Sequence, residues 1–370
     1  MKILVVASLT PPATANYLIG ALRDAKHEVF VCSDVASPLA DQLVYGAVDV
    51  ARVCSRHGFT PELILFIEGG TMRLFPTGLE NLSCLTAWYG IDTHMDYAKH
   101  LRIGRLFDAT FIAQKEFVEK LRVDGLRQVF WVPLAFAPEL HPQGLLDRSY
   151  EVAYVGSDNA VMHPVRHALL AAIRRDIPNV FQGMASPEGM GRIYAQAKMV
   201  FNKSVNNDVN MRYFEAMGAG AVLLTDHAQD NGVEELFTVG EHYFEYHDED
   251  SLIALIRGLI QDPERCHRIG EAARRHVLEN HTYIHRANSL LERVDSCVKS
   301  TKPTPDAYFS VFIALRIAEG ALQAATAAFD WRDAGRGQRF VASLARAGLS
   351  LLTLGAKAVE RARDLVRVVR

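Results

Sequence analysis

Arg212 and Glu215 stand three positions apart, on one side of a short helical pattern, among residues suited to gripping a charged ligand rich in hydroxyls. The stretch 202–226 reads NKSVNNDVNMRYFEAMGAGAVLLTD: a polar loop, a short helix, a glycine exit, an apolar strand and a terminal acid, Asp226. Asn210 is placed to cap a helix that starts near Met211, so that first-turn amides and Arg212 face whatever anion lies before the loop. Glu215 then sits about one turn further in, short of a phosphate and able to accept hydrogen bonds from hydroxyls. Gly218 and Gly220 end the helix where a side chain would be in the way, and 221–225 return as a buried strand. Lys203 leaves the preceding strand at its carboxyl end and offers a second cation for a diphosphate. Loop, capped helix, glycine and strand also punctuate any α/β domain, but cation, carboxylate and return into a sheet together describe a nucleotide-sugar pocket better than a core turn.

A second group of ionisable residues, WYGIDTH, occupies 88–94. Asp92 and His94 are its candidates for acceptor binding or proton handling, since a carboxylate beside an imidazole holds its tautomer and raises its basicity. Helix capping by Asp92 or Thr93 is the plainer alternative. Glu68, followed by two glycines, is a further strand-end candidate. In the second half, Gly156 would let the backbone approach a ligand closely, and Arg166 on the following helix could reach inward or simply face solvent. The run His247, Asp248, Glu249, Asp250 invites a metal reading, yet Asp248 is well placed to cap a helix over 249–260, so no metal site is expected there.

These residues must be held by a frame, and short apolar runs alternating with helical patterns supply one. Strands are expected at 3–7, 28–32, 63–67, 85–88, 109–113 and 129–132, then at 150–155, 179–182, 199–202 and 221–225; helices at 15–25, 38–56, 189–198, 249–260, 263–280 and 283–298. Such alternation means parallel sheets covered on both faces, with ligands at the carboxyl ends of the strands. The segment PLAFAPELHPQG, 133–144, breaks the pattern and reads as the crossing between domains, with His141 a solvated linker residue. The chain divides into 1–140 for an acceptor, 141–300 for a nucleotide sugar and 301–370 as a helical extension.

From about 88 to 286 the chain resembles the GT-B glycosyltransferases of the group 1 type, most of all the branch that includes the spore-maturation protein CgeB. The matching pieces are WYGIDTH, FIAQKEFV (111–118), VFWVPLAFAP (129–138), VAYVGS (152–157), RYFEAMGAGAVLLTD (212–226), ELFTVGEHYFEY and HTYIHR (281–286). The resemblance implies two Rossmann-like domains facing a cleft, transfer of a sugar from a nucleotide-diphosphate donor to a hydroxyl acceptor with retention, and no metal or other cofactor. It also favours Arg166, because an arginine follows the glycine at a similar distance in the family. Group 1 enzymes carry two glutamates eight positions apart, the first touching the donor sugar and the second the ribose. Glu215 matches the second; the first position holds Asn207, with Asp208 beside it. The donor-binding residues expected on these grounds are Gly156, Arg166, Lys203, Asn207, Arg212, Glu215 and Asp226. A nucleotide-sugar epimerase of the same fold, or a non-catalytic scaffold, are the alternatives.

Bulk properties narrow the class. At 370 residues the chain exceeds one usual core, and its net charge of -3 argues against a nucleic-acid binder relying on bulk positive charge. SLTPPAT follows the first strand in place of G-x-G-x-x-G, which lowers the case for a nicotinamide or flavin enzyme. Five scattered cysteines without a CxxC pair suggest buried thiols in a reducing compartment, and the short apolar run at the amino terminus does not make a signal peptide. A cytoplasmic protein is expected. Residues 302–370 are basic, with eleven Lys+Arg against six Asp+Glu, and show helical patterns at 307–329 and 339–370. They suit a helical hairpin or homo-oligomer contact within the protein, or peripheral contact with an anionic membrane.

Overall fold

The computed structural model describes residues 1–69, 72–142 and 147–300, so the expected helices of 301–370 and their membrane or oligomer contacts lie outside the described residues. The first lobe contains β1 (Lys2–Ala7), α1 (Thr14–Asp24), β2 (Glu28–Ser33), β3 (Gln42–Leu43), β4 (Gly46–Asp49), α2 (Val50–His57), β5 (Leu63–Ile67) and β6 (Leu74–Thr77). It continues with β7 (Leu85–Gly90), α3 (Tyr97–Gly104), β8 (Ala109–Ile112), α4 (Glu116–Val123) and β9 (Val129–Trp131). Seven of these strands pair in parallel in the order β3-β2-β1-β5-β7-β8-β9. Runs such as Ile3 to Ala7 and Leu63 to Ile67 are apolar at every position because both faces of the sheet are covered, and they are almost fully buried.

The second lobe contains β10 (Tyr150–Val155), α5 (Pro164–Asp176), β11 (Val180–Gly183), α6 (Pro187–Ala195), β12 (Ala197–Phe201), α7 (Met211–Gly218), β13 (Val222–Thr225), α8 (Val233–Leu236) and β14 (Tyr243–Glu245), then α9 (Glu249–Gln261), α10 (Pro263–Asn280) and α11 (Tyr283–Asp295). Its five strands are also all parallel, in the order β11-β10-β12-β13-β14. The result is two Rossmann-like sheets with helices on their faces, as the alternation predicts.

Two expectations need correction. The helix predicted over 38–56 is instead β3, β4 and the shorter α2. The carboxylate of Asp41 accepts from the Val31 amide at 2.8 Å and from Arg23 at 2.9 Å, laying the segment along the edge of β2, while β4 pairs with β6 in a small separate sheet. His141 is not a solvated linker residue: its ring packs 4.4 Å from that of Phe136, and burial together with Arg274 lowers its pKa to about 4.

The chain crosses between the lobes at 133–137 and comes back at 281–286. The two crossings pair through Phe136 and Thr282, with the Phe136 amide donating to the His281 carbonyl at 2.9 Å and the Tyr283 amide to the Phe136 carbonyl at 3.1 Å. Arg286 donates to the carbonyls of Pro133 and Leu134 at 3.0 and 3.1 Å. Helix α11 then packs on α1 of the first lobe, with the Tyr17 and Tyr283 rings 5.3 Å apart. Gly218 is where α7 meets this crossing, and a Cβ there would overlap the Phe136 ring.

Candidate functional site

Asn202 directly follows β12, and a turning loop leads from it to α7. Asn210 caps that helix, its side-chain oxygen accepting from the Arg212 amide at 3.2 Å, as the sequence pattern requires. The helix starts at the cleft: the Thr14 hydroxyl, at the first residue of α1, lies 3.9 Å from the sulfur of Met211, at the first residue of α7.

Arg212 does not simply point outward. Its guanidinium donates to the Tyr194 hydroxyl at 3.0 Å, to Asn202 Oδ1 at 2.7 Å and to the Val155 carbonyl at 2.8 Å, and lies 4.7 Å from the centre of the Tyr154 ring. It therefore ties the carboxyl ends of β10 and β12 to α7 with three of its five N–H groups. Gly156 lies directly over it. At φ +150° and with Arg212 Nη2 3.0 Å from where a Cβ would be, this position admits only glycine comfortably.

Glu215, one turn on, has no hydrogen-bond partner among the described residues. Burial pushes its carboxyl up to about 7, and the positive charge of Arg212 opposes that rise only in part. Its charge is felt by Tyr17 and Tyr283 in the facing helices and by Tyr194 within its own lobe.

The remaining candidates of the second lobe are distributed differently. Arg166 is buried, at 8% exposure, and donates to the Lys203 carbonyl at 3.1 Å, so it reaches inward from α5. Lys203 Nζ lies 2.8 Å from Asp226 Oδ2. Asp226 also receives the Ser204 amide at 2.7 Å and the Ser204 hydroxyl, so its carboxylate fastens the end of β13 to the loop after β12 and the lysine is already neutralised. Asn207 has φ +67° and donates to Glu116 Oε2 of the first lobe at 3.2 Å and to the Gln229 carbonyl at 2.7 Å. Asp248 caps α9 in a capping box with Ser251, and among the described residues no group of three His, Cys, Asp or Glu side chains is placed to hold a metal ion.

In the first lobe, the loop after β7 is fixed by Glu68. One carboxylate oxygen accepts from the amides of Ile91 and Asp92 at 2.7 and 3.0 Å; the other pairs with Lys99 at 3.2 Å and His100 at 2.9 Å. Burial alone would raise its pKa, but His100 and Lys99 hold it far below the carboxylate range. Asp92 is raised by burial and by the neighbouring Glu68, with His94 pulling the other way. Asp92 and His94 exchange no hydrogen bond. Instead the His94 charge reaches Asp92, Glu116 and, from the other lobe, Asp208 of the loop between β12 and α7. Its buried Nδ1 has no partner among the described residues.

Sequence reasoning missed Gln114 and Asn231, which join the lobes beside this group. Gln114 lies two residues past the end of β8, and the rule that ligands and contacts gather at strand ends was the signal available for it.

Residues 148–292 match the family described as Glycosyl transferase-like. A comparison with curated protein sequences returned no match. Among solved structures, the chain is similar to Anabaena HepE in complex with UDP and glucose, at 15% identity and TM-score 0.60, over 80% of this chain and 100% of that one. It is also similar to sucrose-phosphate synthase from Thermosynechococcus elongatus, at 12% identity and TM-score 0.56, over 79% and 98%. T4 phage BGT in complex with UDP and Mn2+ aligns at 11% identity and TM-score 0.54, over 80% and 100%. The described lobes thus form a GT-B fold, and the second of them carries the match to the glycosyltransferase-like family.

Proposed function

We propose that this protein is a glycosyltransferase that moves a sugar from a nucleotide-diphosphate donor to a hydroxyl acceptor in the cleft between its lobes. The observation that carries the reading is Glu215: a carboxyl in the cleft, raised to about 7 by burial, with no hydrogen-bond partner among the described residues and Arg212 one turn away. A ribose supplies the two hydroxyls such a group lacks. With the Arg212 and Tyr213 amides engaged by Asn210, the Met211 amide at the start of α7 and the two spare N–H groups of Arg212 then meet the diphosphate. Stabilising the charge of that leaving group supplies most of the rate gain, without calling on a metal. Gly156 lets the backbone approach the donor, and Arg166 stiffens the floor beneath it through the Lys203 carbonyl. Lys203 contributes to the diphosphate only by exchanging Asp226 for it. On the first lobe, His94 accepts the proton of the acceptor hydroxyl, with Asp92 holding the imidazole's charge. Asn207 stands where group 1 enzymes carry their sugar-contacting glutamate and is engaged by Glu116, so the sugar is met by amide and backbone groups. Retention is the course that the group 1 resemblance favours.

A panel of nucleotide sugars assayed by thermal shift and calorimetry on wild type, Arg212→Ala and Glu215→Ala tests this. Binding of at least one donor, lost in both variants, is the expected result; a wild type that ignores every donor overturns it and leaves the scaffold reading. A donor isomerised with no acceptor present would point to an epimerase instead.

A further inference from the structure

The loop that delivers α7 to the cleft is held from the opposite lobe. Gln114, at 1% exposure, lies two residues past the end of β8 of the first lobe. Its side-chain oxygen accepts from the Val209 amide at 2.9 Å and from Asn231 Nδ2 at 2.8 Å, which fills both of its lone pairs. Asn231, also at 1% exposure, passes its other N–H to the Asn207 carbonyl at 2.6 Å. Asn206 and Asn207 meanwhile sit in the left-handed region, at φ +47° and +67°, a conformation that a free chain has little reason to keep. Among the described residues, the Asp208 side chain accepts from the Val205 amide at 2.6 Å and, weakly, from Asn210 at 3.4 Å. The buried contact that reaches the amide next to the Asn210 cap comes from the other lobe.

We infer that Gln114 is a positioning residue for donor binding: through this buried amide the acceptor lobe sets the shape of the loop leading into Asn210, Arg212 and Glu215. The nucleotide diphosphate is then held firmly only while the lobes are docked at this seam. The inference rests on the reading of α7 as the donor site. The exposed ion pair of Lys115 with Glu235 joins the same two lobes but touches none of the loop's backbone, and makes a natural control.

Gln114→Met keeps the length of the side chain and removes the acceptor, leaving two buried donors unpaired. Hydrogen exchange is measured on the amides of 205–210 and of β1 and β5, and binding of UDP, GDP and ADP is measured by calorimetry. In Gln114→Met the loop amides exchange about tenfold faster or more while the strands are unchanged, and the dissociation constant of whichever nucleotide binds wild type rises about tenfold. With saturating donor, kcat stays within about twofold. Lys115→Ala leaves both the exchange and the affinity as in wild type. Asn231→Ser breaks the bridge from the donor lobe and gives the same pattern if Gln114→Met fails to fold. Unchanged exchange at 205–210, or an equal effect from Lys115→Ala, overturns the inference. A wild type that binds none of the three nucleotides removes the donor reading, while the exchange measurement still decides whether Gln114 holds the loop.

Discussion

Arg212 and Glu215 lie on one turn of the same helix, yet the arginine has three protein partners and the glutamate has none among the described residues. The cation is fixed first and can only offer what remains of its donors. In the proposed donor site the carboxyl is completed by the ligand's hydroxyls, so that scaffold and recognition fall to two neighbours of opposite charge.

The raised pKa of Glu215 has a signed consequence for stability. Its folded-state value, about 7, lies above the ordinary 4.5, so the folded chain binds the proton more tightly than the unfolded one. The contribution is fully present below about pH 4.5 and is lost as pH rises through 7. Glu215→Gln should remove this dependence, gaining about 2 kcal/mol on wild type between pH 5 and pH 8 in urea unfolding at each pH, after allowance for partial solvent screening.

Donor binding should show the opposite trend. Hydroxyls that donate to the carboxylate favour its ionised form, so binding expels a proton near neutrality. The affinity of wild type for its nucleotide should rise from pH 6 to pH 8, with about tenfold a reasonable scale. Calorimetry in two buffers of different ionisation enthalpy should register proton release, and Glu215→Gln should abolish it.

His94 stands on the other lobe and should separate chemistry from donor affinity. His94→Gln is expected to lower kcat about a hundredfold or more while nucleotide affinity stays within about twofold. Equal losses in both would mean that the imidazole mainly braces Asp208 and the donor loop.

Gly218 tests the packing that aims α7. Gly218→Ala drives a methyl into the Phe136 ring on the crossing strand and should cost about 1–3 kcal/mol, read as a lowered Tm. Phe136→Leu in the same chain should recover part of the loss.

Much of the frame was legible because parallel strands covered on both faces must be apolar throughout, as 3–7, 63–67 and 221–224 are. The Asn210 cap and the glycine exit at 218 and 220 were equally legible, since capping and close packing act over a few residues. Segment 38–56 was not, because Asp41 answers to Arg23 and Val31, and nothing local records that edge of the sheet. The pairing of Lys203 with Asp226 was within reach: each follows one of two adjacent parallel strands, whose ends must lie side by side. The bond from Gln114 to Asn231 was out of reach, because 117 positions separate them and only the docking of two lobes brings them together.

The polypeptide passes from lobe to lobe twice, and Phe136 and Thr282 bind the two passages to each other. A single tether would permit tumbling in any direction; a doubled one acts as a hinge pin. Relative motion should therefore be a swing about one line, and a covalent staple across the cleft mouth, far from that pin, would freeze the machine with little disturbance to either half.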